Sequence, residues 1–355
     1  MNIYGILIAG GQGKRLWPLS RLLRPKPVLA VQNNQSLIQQ TLMRLKTVVD
    51  PGNIFIVTNE EVFAPVYESV QEVPLGNFLA EPLGRNTAAA IGLACIHIME
   101  RDNDALAIVS PADHYIGDNE QFSALLHKAA DVCRKTDTVV VFGVKPTSAS
   151  TNYGYIAKGD PLDETGAFKV ARFTEKPQQQ AAEQFVAEGY LWNAGIFVFR
   201  ISTMLQAFRQ HMPELASALE NIRKSFKGPY ERKTMKEEYA ALQDISIDKG
   251  VIEKLDTVSV LEMNVPWADL GSFEQIANVM TQKDENGNQR MGSGIDVDST
   301  DTIIVGDDNF VVTANVHGLI VVVSDGRILV AAKGSDEKIA RAVTLMQEHG
   351  FKEHI

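Results

Sequence analysis

The chain has 355 residues, 45% of them hydrophobic and 22% charged, with a formal net charge of −10. This length buries a large core and is expected to divide into two unequal units, while the acidic balance argues against nucleic acid or an anionic membrane as the main partner. Two cysteines, Cys95 and Cys133, cannot supply a disulfide framework, no apolar run approaches the ~20 residues of a bilayer span, and the N-terminus lacks a signal-peptide pattern, so a cytoplasmic location is expected.

An apolar run over 3–9 reads as a buried first strand. It leads into Gly10-Gly11-Gln12-Gly13-Lys14-Arg15-Leu16-Trp17-Pro18-Leu19-Ser20-Arg21, closed by Arg24-Pro25-Lys26-Pro27. Glycines there let backbone N–H groups approach a phosphate, and Lys14, Arg15, Arg21, Arg24 and Lys26 follow with no acidic residue among them. Residues 1–59 carry seven basic side chains and one acidic, Asp50, so the segment focuses anions within an acidic protein. The dinucleotide fingerprint is excluded because Leu16 stands where it needs a third glycine, and a Walker A loop because Gly13-Lys14 is followed by Arg15. The prolines beside Lys26 fix backbone where a lysine must be aimed.

Ser36 suits the N-cap of a helix carrying Ile38, Leu42, Leu45 and Val49 on one face. Strands over 54–58, 106–110 and 139–144 then alternate with helices over 86–99 and 121–134. Such alternation predicts an α/β protein with a doubly wound, mainly parallel mixed sheet, whose ligands sit beyond the carboxyl ends of strands. The second half mixes antiparallel-looking strands over 168–173, 195–200 and 258–265 with helices over 203–227 and 231–243. A polar, glycine-containing stretch over 283–294 marks a boundary, dividing the chain into 1–285 and 295–355. Short β-rich runs over 302–305, 310–316, 319–324 and 327–332 follow, and then a helix from Ser335 with Ile339, Val343 and Met346 on its apolar stripe. No chemical motif appears after 295, so this part reads as scaffold.

Asp113, in Pro111-Ala112-Asp113-His114, lies just past a strand end, and Asp269, in Trp267-Ala268-Asp269-Leu270-Gly271, lies in a similar place. Converging, two such carboxylates suit Mg²⁺ completed by substrate phosphates; taken singly, each suits a turn or a helix cap. His114 reads as a positioning or core histidine, and the seven histidines show no zinc spacing. Glu175 and Lys176 are adjacent at a strand end, where neighbours point to opposite faces, so no ion pair between them is expected. A bend at Pro177 would aim Lys176 at a phosphate and leave Glu175 to accept from hydroxyls. Gly154 between two tyrosines, and Asn193 beside Trp192, add a mixture that suits a sugar.

With these motifs in this order, the chain resembles the nucleotide-sugar pyrophosphorylases, and within them the mannose-1-phosphate guanylyltransferase branch. The resemblance is carried by the 10–21 loop, Ala-Glu-Pro-Leu-Gly-Arg-Asn-Thr-Ala-Ala-Ala-Ile over 80–91, and Pro-Ala-Asp-His over 111–114. It continues through Tyr-Gly-Tyr-Ile over 153–156, Phe-Thr-Glu-Lys-Pro over 173–177 and Trp-Asn-Ala-Gly-Ile-Phe over 192–197. Ser-Ile-Asp-Lys-Gly-Val-Ile-Glu-Lys over 246–254 and Trp-Ala-Asp-Leu-Gly-Ser-Phe over 267–273 complete it. The chain departs from the family at Pro25-Lys26-Pro27-Val28, where relatives often read Pro-Lys-Gln-Phe, and it is too short for the cupin-type isomerase domain of many bacterial relatives.

The resemblance implies a Rossmann-like nucleotidyltransferase fold with a C-terminal partial left-handed β-helix used in homodimer contacts. It implies transfer of GMP from GTP to mannose 1-phosphate, with Mg²⁺ on Asp113 and Asp269 and catalytic contacts from Arg15, Lys26 and Lys176. GTP binding falls to Gly10, Gly11, Gly13, Lys14, Arg15, Glu81, Arg85, Asn86 and Thr87, and sugar-phosphate binding to Gly154, Glu175, Lys176 and Asn193. Glu81 is expected to accept from guanine N1–H and N2–H₂; its alternative is a surface ion pair with Arg85. Two other readings stay open: another sugar 1-phosphate such as a manno-heptose or hexose, and a non-catalytic nucleotide-sugar-binding regulatory subunit. Intact Arg15, Lys26, Asp113, Lys176 and Asp269 weigh against the second.

Overall fold

The computed structural model describes residues 1–32, 34–162 and 165–355. Its frame is a nine-stranded sheet of β1 (Ile3–Ile8), β2 (Ile54–Asn59), β3 (Phe78–Glu81), β4 (Leu106–Pro111), β5 (Val139–Val144), β6 (Tyr155–Pro161), β7 (Ala167–Thr174), β8 (Leu191–Arg200) and β9 (Val258–Glu262). The order is β3-β2-β1-β4-β8-β5-β9-β7-β6, and the first half, β3-β2-β1-β4, is all parallel, as apolar strands separated by helices require. β8 enters antiparallel between β4 and β5, and β7 runs antiparallel to both β9 and β6. The sheet is therefore mixed. Strand β6 was legible only as a Tyr-Gly-Tyr-Ile motif, because beyond Ile156 its residues are largely polar and exposed.

Helices cover both faces. Leu37–Leu45 starts where expected: the Ser36 hydroxyl accepts from the Gln39 backbone N–H, and the Gln39 side chain accepts in return from the Ser36 N–H. It packs with Asn119–Thr136 on one face of the sheet. Asn86–Met99, buried nearly all round, lies on the other face under Ile201–His211 and Pro213–Ser225. Those last two replace the single helix expected over 203–227. Pro213 has no N–H to continue the first, and it sits at the first turn of the second.

After the helix Phe273–Met280, the chain stacks short strands in parallel: Gln289–Met291 on Ile303–Val305 on Leu319–Ser324, and Gly294–Val297 on Val311–Ala314. Arg327–Ala332 closes this part antiparallel to Leu319–Ser324, and the helix Asp336–Glu348 returns to the glycine-rich loop after β1. The boundary foreseen over 283–294 is thus already occupied by the first of these strands. Moreover, one core joins the two parts, with Leu16, Leu29 and Leu270 packed with Phe273, Ile303, Ile320, Val322 and Ile339.

Candidate active site

The glycine-rich loop leaves β1 at Ala9, held by Ala9 N–H to Val57 O (2.7 Å) and by Asn59 Nδ2 to Gly10 O (2.9 Å). Gly13 adopts φ +71°, and a Cβ there would lie 2.6 Å from Ser20 Oγ and 2.8 Å from Lys26 Cβ, so both conformation and space demand glycine. A Cβ on Gly11 would meet nothing within 4 Å, which leaves its backbone open to a ligand. Lys26, on the short turn that follows Pro25, is only 8% exposed.

Lys26 links the carboxylate of Asp113 to the backbone of Asp269. Its Nζ donates to Asp113 Oδ2 at 2.7 Å and to the Asp269 carbonyl at 2.5 Å. Asp113 is set by β4, since Ala112 N–H donates to Ile8 O at 3.0 Å. Burial alone would raise the Asp113 pKa, but the Lys26 ammonium outweighs it and holds the carboxyl below its ordinary range. Asp269 Oδ1 accepts from the Tyr153 hydroxyl (3.0 Å) and Gly271 N–H (3.3 Å), and Leu270 behind it is forced to φ +49°. Left-handed backbone at a non-glycine is a strained state typical of functional turns. His114 Nδ1 accepts from the Trp267 indole N–H at 3.3 Å, and burial lowers its pKa. A downward shift keeps the imidazole neutral at pH 7, and its Nδ1 is engaged by Trp267.

Two cavities open on either side of this cluster and share Gly11, Asp113, His114 and Asp269. One, of about 460 Å³, lies over Gly13, Lys14, Arg15 and Lys26. The other, of about 360 Å³, is lined by Thr87, Gly154, Glu175, Lys176, Asn193 and Asp248. In the second cavity a Cβ on Gly154 would strike Glu175 Oε2 at 2.6 Å, so the carboxylate lies flat on bare backbone. A bulge in β8 between Asn193 and Phe197 turns Asn193, Ala194 and Gly195 toward the space.

One expectation is overturned here: Lys176 Nζ does pair with Glu175, at 2.8 Å. Strand β7 ends at Thr174 and Lys176 itself takes φ +48°, so the alternation of faces no longer applies. Asp248, in a quoted motif but given no role, was missed. Burial, with the Glu175 charge beside it, pushes its carboxyl up to about 7.

In the 80–91 segment, Arg85 donates to the carbonyls of Tyr239 and Ala240, both at 2.9 Å. Asn86 donates to Asp244 Oδ1 (2.9 Å), while Thr87 Oγ1 accepts from Ile247 N–H (2.9 Å) and Thr87 still lines the cavity. The ion pair weighed between Glu81 and Arg85 is not made. Glu81 is 5% exposed, with Oε2 3.9 Å from where a Gly10 Cβ would be. Burial raises its carboxyl to about 8, against a hydrogen bond with Tyr239 that lowers it. The ionised acceptor foreseen for guanine is therefore a neutral acid at pH 7 in this structure.

That shift carries a stability prediction. The unfolded chain ionises Glu81 above about pH 4.5 while the folded chain keeps it neutral to about 8, so stability falls as pH rises between these values. Glu81→Gln is expected to melt close to the wild type at pH 5 and several degrees above it at pH 9. Parallel melting curves across this range would show that Glu81 carries no such burden.

Reading residues after 295 as pure scaffold also needs correction. Glu337 and Ala340 line the cavity over Gly13, Lys14, Arg15 and Lys26, and Glu337 pairs with Arg15 at 2.5 Å. Lys14 Nζ donates to Gln347 (3.3 Å), the Trp17 indole N–H to the His354 carbonyl (2.7 Å), and Arg24 pairs with Asp307 (3.1 Å). The basic loop is thus half engaged by the C-terminal part. Arg15 and Glu337 are 45% and 79% exposed, so this pair is weak and easily yields to a phosphate.

A glycine-rich loop at the end of β1, facing two carboxylates across a buried lysine, defines a nucleotidyltransferase, and the nucleotidyl transferase family matches residues 4–286. The chain belongs to that family. A mannose-1-phosphate guanylyltransferase of Salmonella muenchen is 34% identical over 98% of this chain and 74% of its own length. Mannose-1-phosphate guanylyltransferase 2 of Escherichia coli O157:H7 is 30% identical over 99% of this chain and 75% of its own. Among solved structures, one described as mannose-1-phosphate geranyltransferase from Thermus thermophilus aligns with a TM-score of 0.87 at 33% identity, covering 98% of this chain and all of that one.

Proposed function

We propose that this protein transfers GMP from GTP to α-D-mannose 1-phosphate, forming GDP-mannose and pyrophosphate. The relatives' names support the reaction, and one observation carries it: Lys26 bridges Asp113 and Asp269 where two cavities of substrate size meet. GTP lies with its phosphates over Gly10, Gly11, Gly13, Lys14 and Arg15, and its base toward Glu81, Arg85, Asn86 and Thr87. Mannose 1-phosphate lies against Gly154, Glu175, Lys176 and Asn193. A phosphate oxygen of the sugar attacks the α-phosphorus; that O–P bond forms as the bond to the β-phosphate oxygen breaks, and pyrophosphate leaves. The attacking oxygen is already anionic, so no nucleophilic side chain is required, and the residues act by positioning and charge neutralisation. Lys26 and Arg15 meet charge on the departing side, and Lys176 holds the sugar phosphate.

The donor set fits Mg²⁺: two hard carboxylates, with Asp269 Oδ1 oriented by Tyr153 and Gly271. Among the described residues no group of three or more His, Cys, Asp or Glu forms a metal site by itself, so phosphate oxygens and water would complete the shell. Bound there, Mg²⁺ supplies Lewis-acid neutralisation of the two phosphates.

Residues 1–285 form the catalytic unit, and 295–355 wind as a partial left-handed β-helix. Ile295 and its register partner Val312, 55% and 58% exposed, lie on a face that a second copy covers in a homodimer. The protein works in the cytoplasm, in keeping with its buried, unpaired cysteines. No helix among the described residues is long and apolar enough to cross a membrane.

The test is pyrophosphate release over a matrix of the four nucleoside triphosphates and several sugar 1-phosphates. GTP with mannose 1-phosphate is expected to give the highest kcat/KM. Strong turnover confined to another pair reassigns the substrate, and binding without any turnover restores the regulatory-subunit reading.

A further inference from the structure

The cavity assigned above to the sugar phosphate holds one carboxylate with no assigned purpose. Asp248 lies in the first turn of the short helix Ile247–Gly250, where Ser246 already caps the N-terminus by accepting from Lys249 N–H. Asp248 is therefore not needed as the cap. It lines the cavity together with Glu175, Lys176 and Asn193. Among the described residues no ion pair reaches it, and the nearby Lys176 is engaged by Glu175 at 2.8 Å.

Its neighbour Asn193 is fixed from both ends. Asn193 Oδ1 accepts from Gly195 N–H at 3.1 Å, and Nδ2 donates to Asp248 Oδ1 at 2.7 Å. The Asn193 side chain is thus oriented by the β8 bulge through its oxygen, and its NH₂ acts as a bracket for Asp248. Glu175, on the other side, gives Oε1 to Lys176 and presses Oε2 against Gly154. A carboxyl placed in such a space without a cation is costly to bury unless donors arrive to meet it. A sugar brings hydroxyl donors, and it is the class of ligand that suits the carboxyls of Glu175 and Asp248 beside the aromatic rings of Tyr153 and Trp267 that line the same cavity.

We propose that Asp248, held by Asn193 through one oxygen, accepts a hydrogen bond from a sugar hydroxyl through the other and is a specificity-determining residue of this site. This rests on reading the cavity as the sugar-phosphate site. It shifts the role of Asn193 from direct ligand to positioning residue, and it gives the 246–254 motif a chemical function.

The experiment compares wild type with Asp248→Asn, using whichever sugar 1-phosphate the wild type prefers and the set of its monodeoxy analogues, in steady-state assays with GTP. The variant keeps the shape of the side chain and removes the charge. The KM for the sugar 1-phosphate is expected to rise about tenfold to a hundredfold, the loss typical of a hydrogen bond to a charged group, with the KM for GTP within twofold. One deoxy analogue is expected to cost the wild type a similar factor and to cost the variant nothing further, which names the hydroxyl read. Equal rises in both KM values, or full losses for every analogue in both enzymes, would overturn the proposal. Asp248→Ser, assayed in the same way, keeps the question answerable if the first variant does not fold. Preference for a sugar other than mannose would displace the substrate assignment while leaving Asp248 tested. No turnover of any sugar 1-phosphate would defeat both.

Discussion

Asp269→Asn and Asp113→Asn are each expected to lower kcat by at least about 10²-fold, the range for removing one group aimed at developing charge. The two differ in what else they do. At Asp269 the contact to Lys26 is made by the backbone carbonyl, so the substitution leaves it in place, and Asn can still accept from Tyr153 and Gly271 through its own oxygen. The fold is therefore expected to melt near the wild-type temperature. At Asp113 the substitution strands the Lys26 ammonium, whose side chain is 10% exposed against 23% for Asp113. Breaking a buried pair from one side costs about 3–5 kcal/mol, so Asp113→Asn is expected to melt well below both. Calorimetry and turnover on the same preparations separate the effects. Near wild-type turnover in either variant at saturating Mg²⁺ would make that aspartate a structural turn.

Lys26→Met is expected to cost about 10²–10³-fold in kcat, because a single cation neutralises charge where the pyrophosphate departs. It also inverts the acid behaviour of Asp113. In the wild type, Lys26 holds the Asp113 pKa low, so the pair stabilises above the ordinary carboxylate range and its contribution is lost as pH falls through the depressed value. Without Lys26, burial dominates and raises that pKa, so stability instead falls as pH climbs past the ordinary range. Lys26→Arg is not expected to restore function, since a planar fork does not replace a compact ammonium set between a carboxylate and a carbonyl. Melting temperatures of Lys26→Met from pH 3 to 8 test this. A profile parallel to the wild type would show that Lys26 does not control Asp113.

The parts legible in the sequence are those governed by local pattern. The β1 run, the Ser36 capping box and the parallel half of the sheet followed from apolar period and cap chemistry. The loop glycines followed too, because Gly13 answers to backbone sterics within its own turn. What failed depended on geometry that period does not carry. The Glu175–Lys176 pair forms only because Lys176 leaves the strand with positive φ. The state of Glu81 is set by burial under Gly10 and beside Tyr239, a residue 158 positions later in the chain. The reach of Glu337 to Arg15 spans 322 positions and left no motif on either side. Asp248 was within reach of sequence reasoning: it is a carboxylate inside a matched motif, where Ser246 already supplies the helix cap.

The central claim is that two anions held on either side of the Lys26 cluster react with each other directly. The stereochemistry at phosphorus tests it with least intervening inference. With GTP made chiral at the α-phosphorus by a single sulfur substitution, and mannose 1-phosphate as acceptor, one in-line displacement predicts inversion of configuration in the GDP-mannose analogue. Net retention would require a second displacement through a covalent enzyme intermediate and would contradict the account.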